Sequence, residues 1–172
     1  MTWAHKVAGS NPVFPTMQGR ATVACQSHKL KVGGSNPPSG IAKEIRNRFP
    51  TAYTEFRKSF LSGKAVLGNI DLVFDHDEYN QRSGCWIFVC NMYSQNNYLP
   101  RGLQHTDYDA FRNCIHKLKD ELNKRWCDRS DITIGFPYKI GCGLGGGDWN
   151  IVSKIIEEEF SDDKYHVEIW KL

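Results

Sequence analysis

A run of glycines near the end of the chain restricts its fold more than any other feature. Residues 132–149 read ITIGFPYKIGCGLGGGDW, and five of the seven residues from Gly141 to Gly147 are glycine. A strand-like apolar segment precedes the run, and an amphipathic helical pattern follows it. Because glycine permits positive φ and close backbone approach, successive amide N–H groups can converge on an anion. The pattern predicts a phosphate-binding loop between a strand and a helix capped by Asp148.

Two other readings of the glycines are weaker. Gly141, Gly143 and Gly146 match the letters of the dinucleotide fingerprint G-x-G-x-x-G. That fingerprint belongs in the first βαβ unit, with several strands still to follow. Only 26 residues follow Gly146, enough for one helix and one strand, so a dinucleotide fold is disfavoured. A tight turn without a ligand is the second alternative, but such a turn would need only one or two glycines.

The chain from Ser39 onward alternates helical and strand-like patterns. Predicted helices cover residues 41–49, 51–61, 107–126 and 149–160, and predicted strands cover residues 64–67, 69–74, 85–92, 132–136 and 166–170. The segment 85–92 is almost entirely apolar, which is typical of a central strand covered on both faces. The alternation predicts an α/β fold: a three-layer α/β/α sandwich around a mixed, mostly parallel sheet.

Composition excludes several classes of protein. The 172 residues are 40% hydrophobic and 24% charged, which fits one globular domain. No apolar run is long enough to span a membrane, and no apolar leader is present at the N-terminus, so we expect a cytoplasmic protein. The six cysteines form no C-x-x-C pair, and we expect free thiols, no metal site and no cofactor.

The N-terminal segment differs from the rest of the chain. Residues 1–40 contain four basic residues and no acid, whereas the remainder holds 18 basic and 19 acidic residues, so no specific nucleic-acid binding is expected. Lys6–Pro12 (KVAGSNP) recurs 25 residues later as Lys31–Pro37 (KVGGSNP). The T-arm consensus of transfer RNA genes translates in one frame as Gly-Ser-Asn-Pro. We therefore predict that residues 1–38 are a poorly ordered, turn-rich read-through of such genes, and that the domain proper spans residues 39–172; a genuine flexible tail is the alternative.

Several motifs resemble the macro domain family. Pro137–Trp149 resembles the family's second phosphate loop. Within the family, it most resembles the branch of ADP-ribose-1″-phosphate phosphatases and ADP-ribosyl-glutamate hydrolases. Ser39–Arg46 (SGIAKEIR) resembles the glycine-rich loop that opens the family's first helix, and Thr106–Arg112 (TDYDAFR) resembles a later helix start. The resemblance covers residues 39–172.

This resemblance implies a ligand and a set of contact residues. The ligand is ADP-ribose or ADP-ribose-1″-phosphate, with an ADP-ribosylated protein as a further partner, and its diphosphate would lie between the two loops. The implied contacts are Gly40, Ile41 and Ala42 on one side and Gly143, Leu144, Gly145, Gly146 and Gly147 on the other. Asn91 and Phe136 are candidates for the walls around the ribose and the base, as are Tyr93 and Gln95, and packing explains each of them equally well.

The chain departs from the family at three functional positions. Ala24 stands where the family has the asparagine that contacts the distal ribose. If the transfer RNA origin is right, the first strand and half of the first loop are missing or replaced. Gly145 stands in place of the hydrolase branch's loop aspartate, and Tyr93 stands near its lysine. Lys58 and Asp148 are the remaining catalytic candidates, although a surface role and a helix-cap role explain them as well.

At the level of function, the resemblance implies an ADP-ribose-binding domain that hydrolyses an ADP-ribose derivative, as a phosphatase or an ADP-ribosyl hydrolase. The alternatives are a reader module that binds ADP-ribose without turnover, and an inactive truncated fusion product. The three departures favour the reader for this chain.

Overall fold

One sheet of six strands organises the computed structural model, which describes residues 5–7, 21–29, 46–75, 86–96, 103–125, 132–161 and 165–171. The strands are β1 His5–Val7, β2 Ala21–Lys29, β3 Ile70–Asp75, β4 Trp86–Gln95, β5 Ile132–Pro137 and β6 His166–Lys171. Their order is β1-β6-β5-β2-β4-β3, and every neighbouring pair is parallel except β3 with β4. The prediction of a mixed, mostly parallel sheet is confirmed.

Helices cover both faces of this sheet. They are α1 Pro50–Leu61, α2 Tyr108–Arg125 and α3 Trp149–Glu159. Alternate residues of β4 divide between the two faces, as the period of a strand requires. Val89 joins Ala52 of α1 in one cluster, whereas Phe88 and Cys90 join the larger core beneath α2 and α3. The predicted three-layer sandwich is therefore present, with its principal core on the α2–α3 side.

The two strands that frame the candidate site are almost wholly apolar where they cross the sheet. Every residue of β5 is buried, and β4 is buried from Phe88 to Gln95. Parallel strands covered on both faces need such continuous apolar runs. Their carboxyl ends lie at one edge of the sheet, which is where open α/β sheets bind ligands.

The structure changes the expectation for the N-terminal segment. Residues 5–7 and 21–29 of that segment form β1 and β2, and β2 lies at the centre of the sheet, between β5 and β4. Val23, Ala24 and Cys25 are buried there, because the apolar run around them suits a strand covered on both faces. A strand thus occupies the position for which the sequence predicted a missing or replaced one. The domain boundary at residue 38 and the transfer RNA origin stay predictions.

One predicted strand is wrong, and one predicted helix is only partly described. Residues 64–67 lie in the connection between α1 and β3, where the amides of Lys64 and Ala65 both donate to the Ser59 carbonyl and so complete the end of the helix. Residues 46–48 are helical, whereas 41–45 of the predicted first helix lie outside the described residues. Within the described ranges, no helix is long and apolar enough to cross a lipid bilayer.

Candidate phosphate-binding site

The glycine run lies in the connection between β5 and α3, at the carboxyl end of the sheet. Gly141 and Gly146 have φ angles of 75° and 66°, values that residues with a side chain rarely adopt. Asp148 caps α3 through its side chain, which accepts a hydrogen bond of 2.8 Å from the Asn150 amide. The predicted order of strand, glycine loop and capped helix is thus present.

Close packing explains two of the glycines. A Cβ atom on Gly145 would lie 2.4 Å from the Gly141 carbonyl oxygen and 2.6 Å from Thr106 Oγ1. One on Gly146 would lie 2.8 Å from the Leu103 carbonyl oxygen. Gly143 differs, because no atom of the described structure lies within 4 Å of the position of its Cβ. The loop therefore has a packed side and, at Gly143, an open side.

Consecutive amide groups on this loop have no protein acceptor. The amides of Gly146 and Gly147 donate within the loop, to the carbonyls of Gly143 and Gly141. Across the described residues, no acceptor is found for the N–H groups of Gly143, Leu144 and Gly145. Three successive donors that precede the amino end of α3 are groups able to bind a phosphate, and the partial positive charge of the helix start favours an anion there.

Residues His105–Tyr108, here called the clip, hold the packed side of the loop. The amides of His105 and Thr106 both donate to the Gly145 carbonyl, at 2.8 and 3.0 Å. The Thr106 hydroxyl donates to the Gly141 carbonyl at 2.6 Å, and the Tyr108 hydroxyl accepts from the Asp148 amide at 2.9 Å. By sequence, residues 106–112 resemble only a helix start. Their contact with the glycine loop joins positions about 40 residues apart, so no local pattern reveals it.

The structure brings some of the predicted contact residues together and separates others. Gly143–Gly147 form the loop, whereas Gly40, Ile41 and Ala42 lie outside the described residues. Phe136 is fully buried in the core, with its ring centroid 5.9 Å from that of Phe160. Asn91 is also buried, and its side-chain amide donates to the Ala52 carbonyl of α1 at 3.1 Å. Both residues thus have packing roles in the described structure.

Lys58, one of the two catalytic candidates, lies away from the loop. It is exposed on α1 and forms an ion pair of 2.6 Å with Glu55, and none of its described contacts is with the loop. Asp148 adjoins the loop, has an exposed side chain and serves as the helix cap. Of the two catalytic candidates, only Asp148 therefore lies beside the loop.

Tyr93 and Gln95, the other two candidates for the ligand walls, take different positions on β4. Tyr93 is buried beneath α1, where its hydroxyl donates to the Asp71 carboxylate and its ring stacks on Phe56. Burial, followed by the hydrogen bond to Asp71, raises the pKa of Tyr93 well above its ordinary value. Gln95 borders the glycine loop, since a Cβ on Gly145 would lie 2.9 Å from its amide carbon.

Comparison with known proteins identifies the fold. No protein-family model matches the sequence, and no curated protein is significantly similar to it. Among solved structures, the macrodomain of Mycobacterium tuberculosis DarG aligns over 98% of this chain and 98% of its own, with a TM-score of 0.70 and 16% identity. The chain has a macrodomain fold.

Two further structures share this architecture. A protein of unknown function from Bacteroides thetaiotaomicron aligns over 98% of this chain and 99% of its own, with a TM-score of 0.72 and 21% identity. Thermosipho africanus DarTG, solved in complex with ADP-ribose, aligns over 94% of this chain and 40% of its own, with a TM-score of 0.70 and 16% identity. At these identities the likeness is one of macrodomain fold alone.

Proposed function

We propose that this macrodomain binds ADP-ribose, with the diphosphate on the amides of Gly143, Leu144 and Gly145. The observation that carries the proposal is the set of three consecutive N–H donors without a protein acceptor in the described residues. They lie at a strand exit and at the amino end of a capped helix. The complex of Thermosipho africanus DarTG with ADP-ribose supports this choice of ligand within the fold.

A reader of ADP-ribose, free or attached to a protein, fits the described loop better than an enzyme does. Gly145 offers no acid or base, and Lys58 is paired with Glu55 on the exposed face of α1. Backbone amides stabilise a bound diphosphate without supplying a nucleophile or a proton acceptor. Binding without turnover is therefore the activity that the backbone donors of the loop favour. The free thiols of Cys25, Cys90, Cys114 and Cys142 support our placing this activity in the cytoplasm.

Gly143 provides the sharpest test, because a side chain there meets no described atom. Gly143→Glu would place a carboxylate beside the three amides, whereas Gly143→Gln is a neutral variant of the same size. We expect calorimetry to show ADP-ribose binding by the natural chain and a loss of at least about 100-fold in affinity for Gly143→Glu relative to Gly143→Gln. Equal affinities of the two variants would refute the assignment of this loop. A folded natural chain that binds no ADP-ribose would instead favour the inactive fusion product.

Hydrolysis of an ADP-ribose derivative is the second candidate, and the exposed carboxylate of Asp148 is the observation in its favour. Asp148 could accept a proton from a water that attacks ADP-ribose-1″-phosphate or an ADP-ribosyl linkage. Asparagine also caps helices, so Asp148→Asn removes the base while keeping the cap. Turnover of ADP-ribose-1″-phosphate by the natural chain and its loss in Asp148→Asn would establish the enzyme. Binding with no turnover of either substrate would establish the reader.

A further inference from the structure

We infer that the clip, His105–Tyr108, is a positioning element that sets the affinity of the glycine loop, with Thr106 as its central residue. This inference rests on the proposed function, because the affinity in question is that for the diphosphate of ADP-ribose. The clip residues do not themselves offer the open donors. They hold the loop by hydrogen bonds to the carbonyl groups on its packed side.

The contacts of the clip fall at the beginning, middle and end of the loop. Thr106 Oγ1 holds the Gly141 carbonyl, the amides of His105 and Thr106 hold the Gly145 carbonyl, and the Tyr108 hydroxyl holds the Asp148 amide. The clip is itself anchored on β4 and α2. The Asp107 amide donates to the Ser94 carbonyl at 3.0 Å, and the Asp107 side chain caps α2 by accepting from the Ala110 amide at 2.9 Å. The loop is therefore tied to two rigid elements of the fold.

Fixing these carbonyls determines where the open amides can point. The N–H groups of Gly143, Leu144 and Gly145 lie between the two carbonyls that the clip holds. If Gly141 and Gly145 were free to rotate, the glycine-rich backbone would sample many conformations, and an anion would have to order it on binding. Preorganised donors avoid that cost. Glycine supplies the close approach, and the clip supplies the rigidity that glycine lacks.

Thr106 is the residue through which the idea can be tested. It is buried, with 3% of its surface exposed, and its hydroxyl lies 2.6 Å from the Gly141 carbonyl oxygen. Thr106→Val removes the donor and places a methyl group where a contact that short is not tolerated, so the loop must shift. Thr106→Ser keeps the donor. Tyr165→Phe is a remote control, because it deletes a hydroxyl that donates to the Asn123 side chain at 2.7 Å, near the carboxyl end of α2, whereas the clip lies at the amino end of that helix.

The experiment measures ADP-ribose affinity by calorimetry, with thermal unfolding to verify that each variant is folded. We expect Thr106→Val to bind about tenfold more weakly, and Thr106→Ser and Tyr165→Phe to stay within about twofold of the natural chain. If Thr106→Ser keeps the affinity that Thr106→Val loses, the hydroxyl group positions the loop, and a general effect on packing does not explain the loss. If the natural chain binds and Thr106→Val binds equally well, the clip inference is wrong while the proposed function stands.

A failure of the natural chain to bind ADP-ribose would refute the proposed function but not the role of the clip. NMR signals of the backbone amides test the clip in that case. In the ligand-free protein, Thr106→Val should shift the backbone ¹H–¹⁵N signals of Gly143, Leu144 and Gly145, and Thr106→Ser should restore them. Tyr165→Phe should leave them in place. Unmoved signals in a folded Thr106→Val protein would show that the clip does not position the loop.

Discussion

The glycine loop and the polar cluster beneath α1, formed by Ser59, Asp71 and Tyr93, handle polar groups in opposite ways. In the cluster, side chains satisfy one another: the Tyr93 hydroxyl donates to Asp71 and also interacts with Ser59. In the loop the polar groups belong to the backbone, and three N–H donors have no acceptor among the described residues. Gly143 and Leu144 are exposed, so their amides are available to a ligand in place of water.

Charge separates the two regions as well. A groove of about 680 Å³ runs beside the cluster along the edge strand β3. Four carboxylates line it, those of Glu55, Asp71, Asp120 and Glu121, against three basic side chains, those of Lys117, Lys124 and Arg125. Glu121 is paired with Lys124 and Arg125, which leaves those basic residues less available to an added anion. The loop has no acidic side chain before Asp148, and the amino end of α3 adds positive potential. A diphosphate is therefore expected at the loop and not in the groove.

Gly146→Glu is predicted to have the largest effect on ADP-ribose affinity, and it tests whether the loop is the anion site. The substitution forces a side chain onto a positive φ, brings its Cβ near the Leu103 carbonyl and adds a negative charge to the loop. We expect ADP-ribose binding to fall below detection by calorimetry, a loss of more than about 100-fold. Gly63→Glu is the matched control, since Gly63 has a φ of 72° and no described atom near its Cβ position. Comparable binding by both variants would contradict the assignment.

Asp71→Ala should have the converse effect, on stability alone. It removes the carboxylate that accepts the buried Tyr93 hydroxyl, so that hydroxyl loses its charged partner. The expected loss is about 1–3 kcal/mol in the free energy of unfolding, measured with urea. ADP-ribose affinity should not change, because the cluster lies beneath α1 and the loop is held by the clip. A parallel fall in affinity would show that the two regions are coupled.

Alkaline pH should distinguish a core thiol from the loop thiol. Burial is the main cause that raises the pKa of Cys114 from 9.0 to about 12 and that of the half-buried Cys142 to about 11. A raised folded-state pKa means that stability is complete below the unfolded pKa and falls as pH rises toward the folded value. We expect the free energy of unfolding to fall above pH 9, by up to about 1.4 kcal/mol per pH unit for Cys114.

Urea titrations of two variants between pH 8 and pH 10 measure this difference. Cys114→Ala should flatten the alkaline fall in stability noticeably, because its side chain is fully buried. Cys142→Ser should flatten it less, since solvent reaches that thiol and screens it. The opposite ranking of the two slopes would mean that the loop, not the core, carries the buried ionisable group.

Local pattern was sufficient for the elements around the site. Ile132, Ile134 and Phe136 alternate toward one core, and the next helix repeats Val152, Ile155 and Ile156 toward the same core. Asp148 was predicted as a cap because its type and position follow the rules for helix starts, and that prediction is confirmed. Residues 64–67 were misassigned, because an apolar run this short does not distinguish a strand from the end of a helix and its connection.

Partners that come from distant parts of the chain could not be predicted in this way. Nothing near Ala21–Lys29 indicates that this segment would lie between β5 and β4, because strand order depends on pairing across the whole sheet. Tyr93 and Asn91 were candidates for the ligand walls because they lie near a strand end. The structure shows partners beneath α1 for both of them, namely Asp71 and the Ala52 carbonyl, which no local pattern indicates, and their contact with a ligand stays a prediction.

The succession of a strand, a flexible glycine run and a capped helix follows from local sequence, because those features depend on backbone freedom and on side chains a few residues apart. The direction in which the glycine run faces depends on long-range contacts. Thr106 and Tyr108 reach it from a segment about 40 residues away, and a backbone without side chains takes its direction from whatever packs against it.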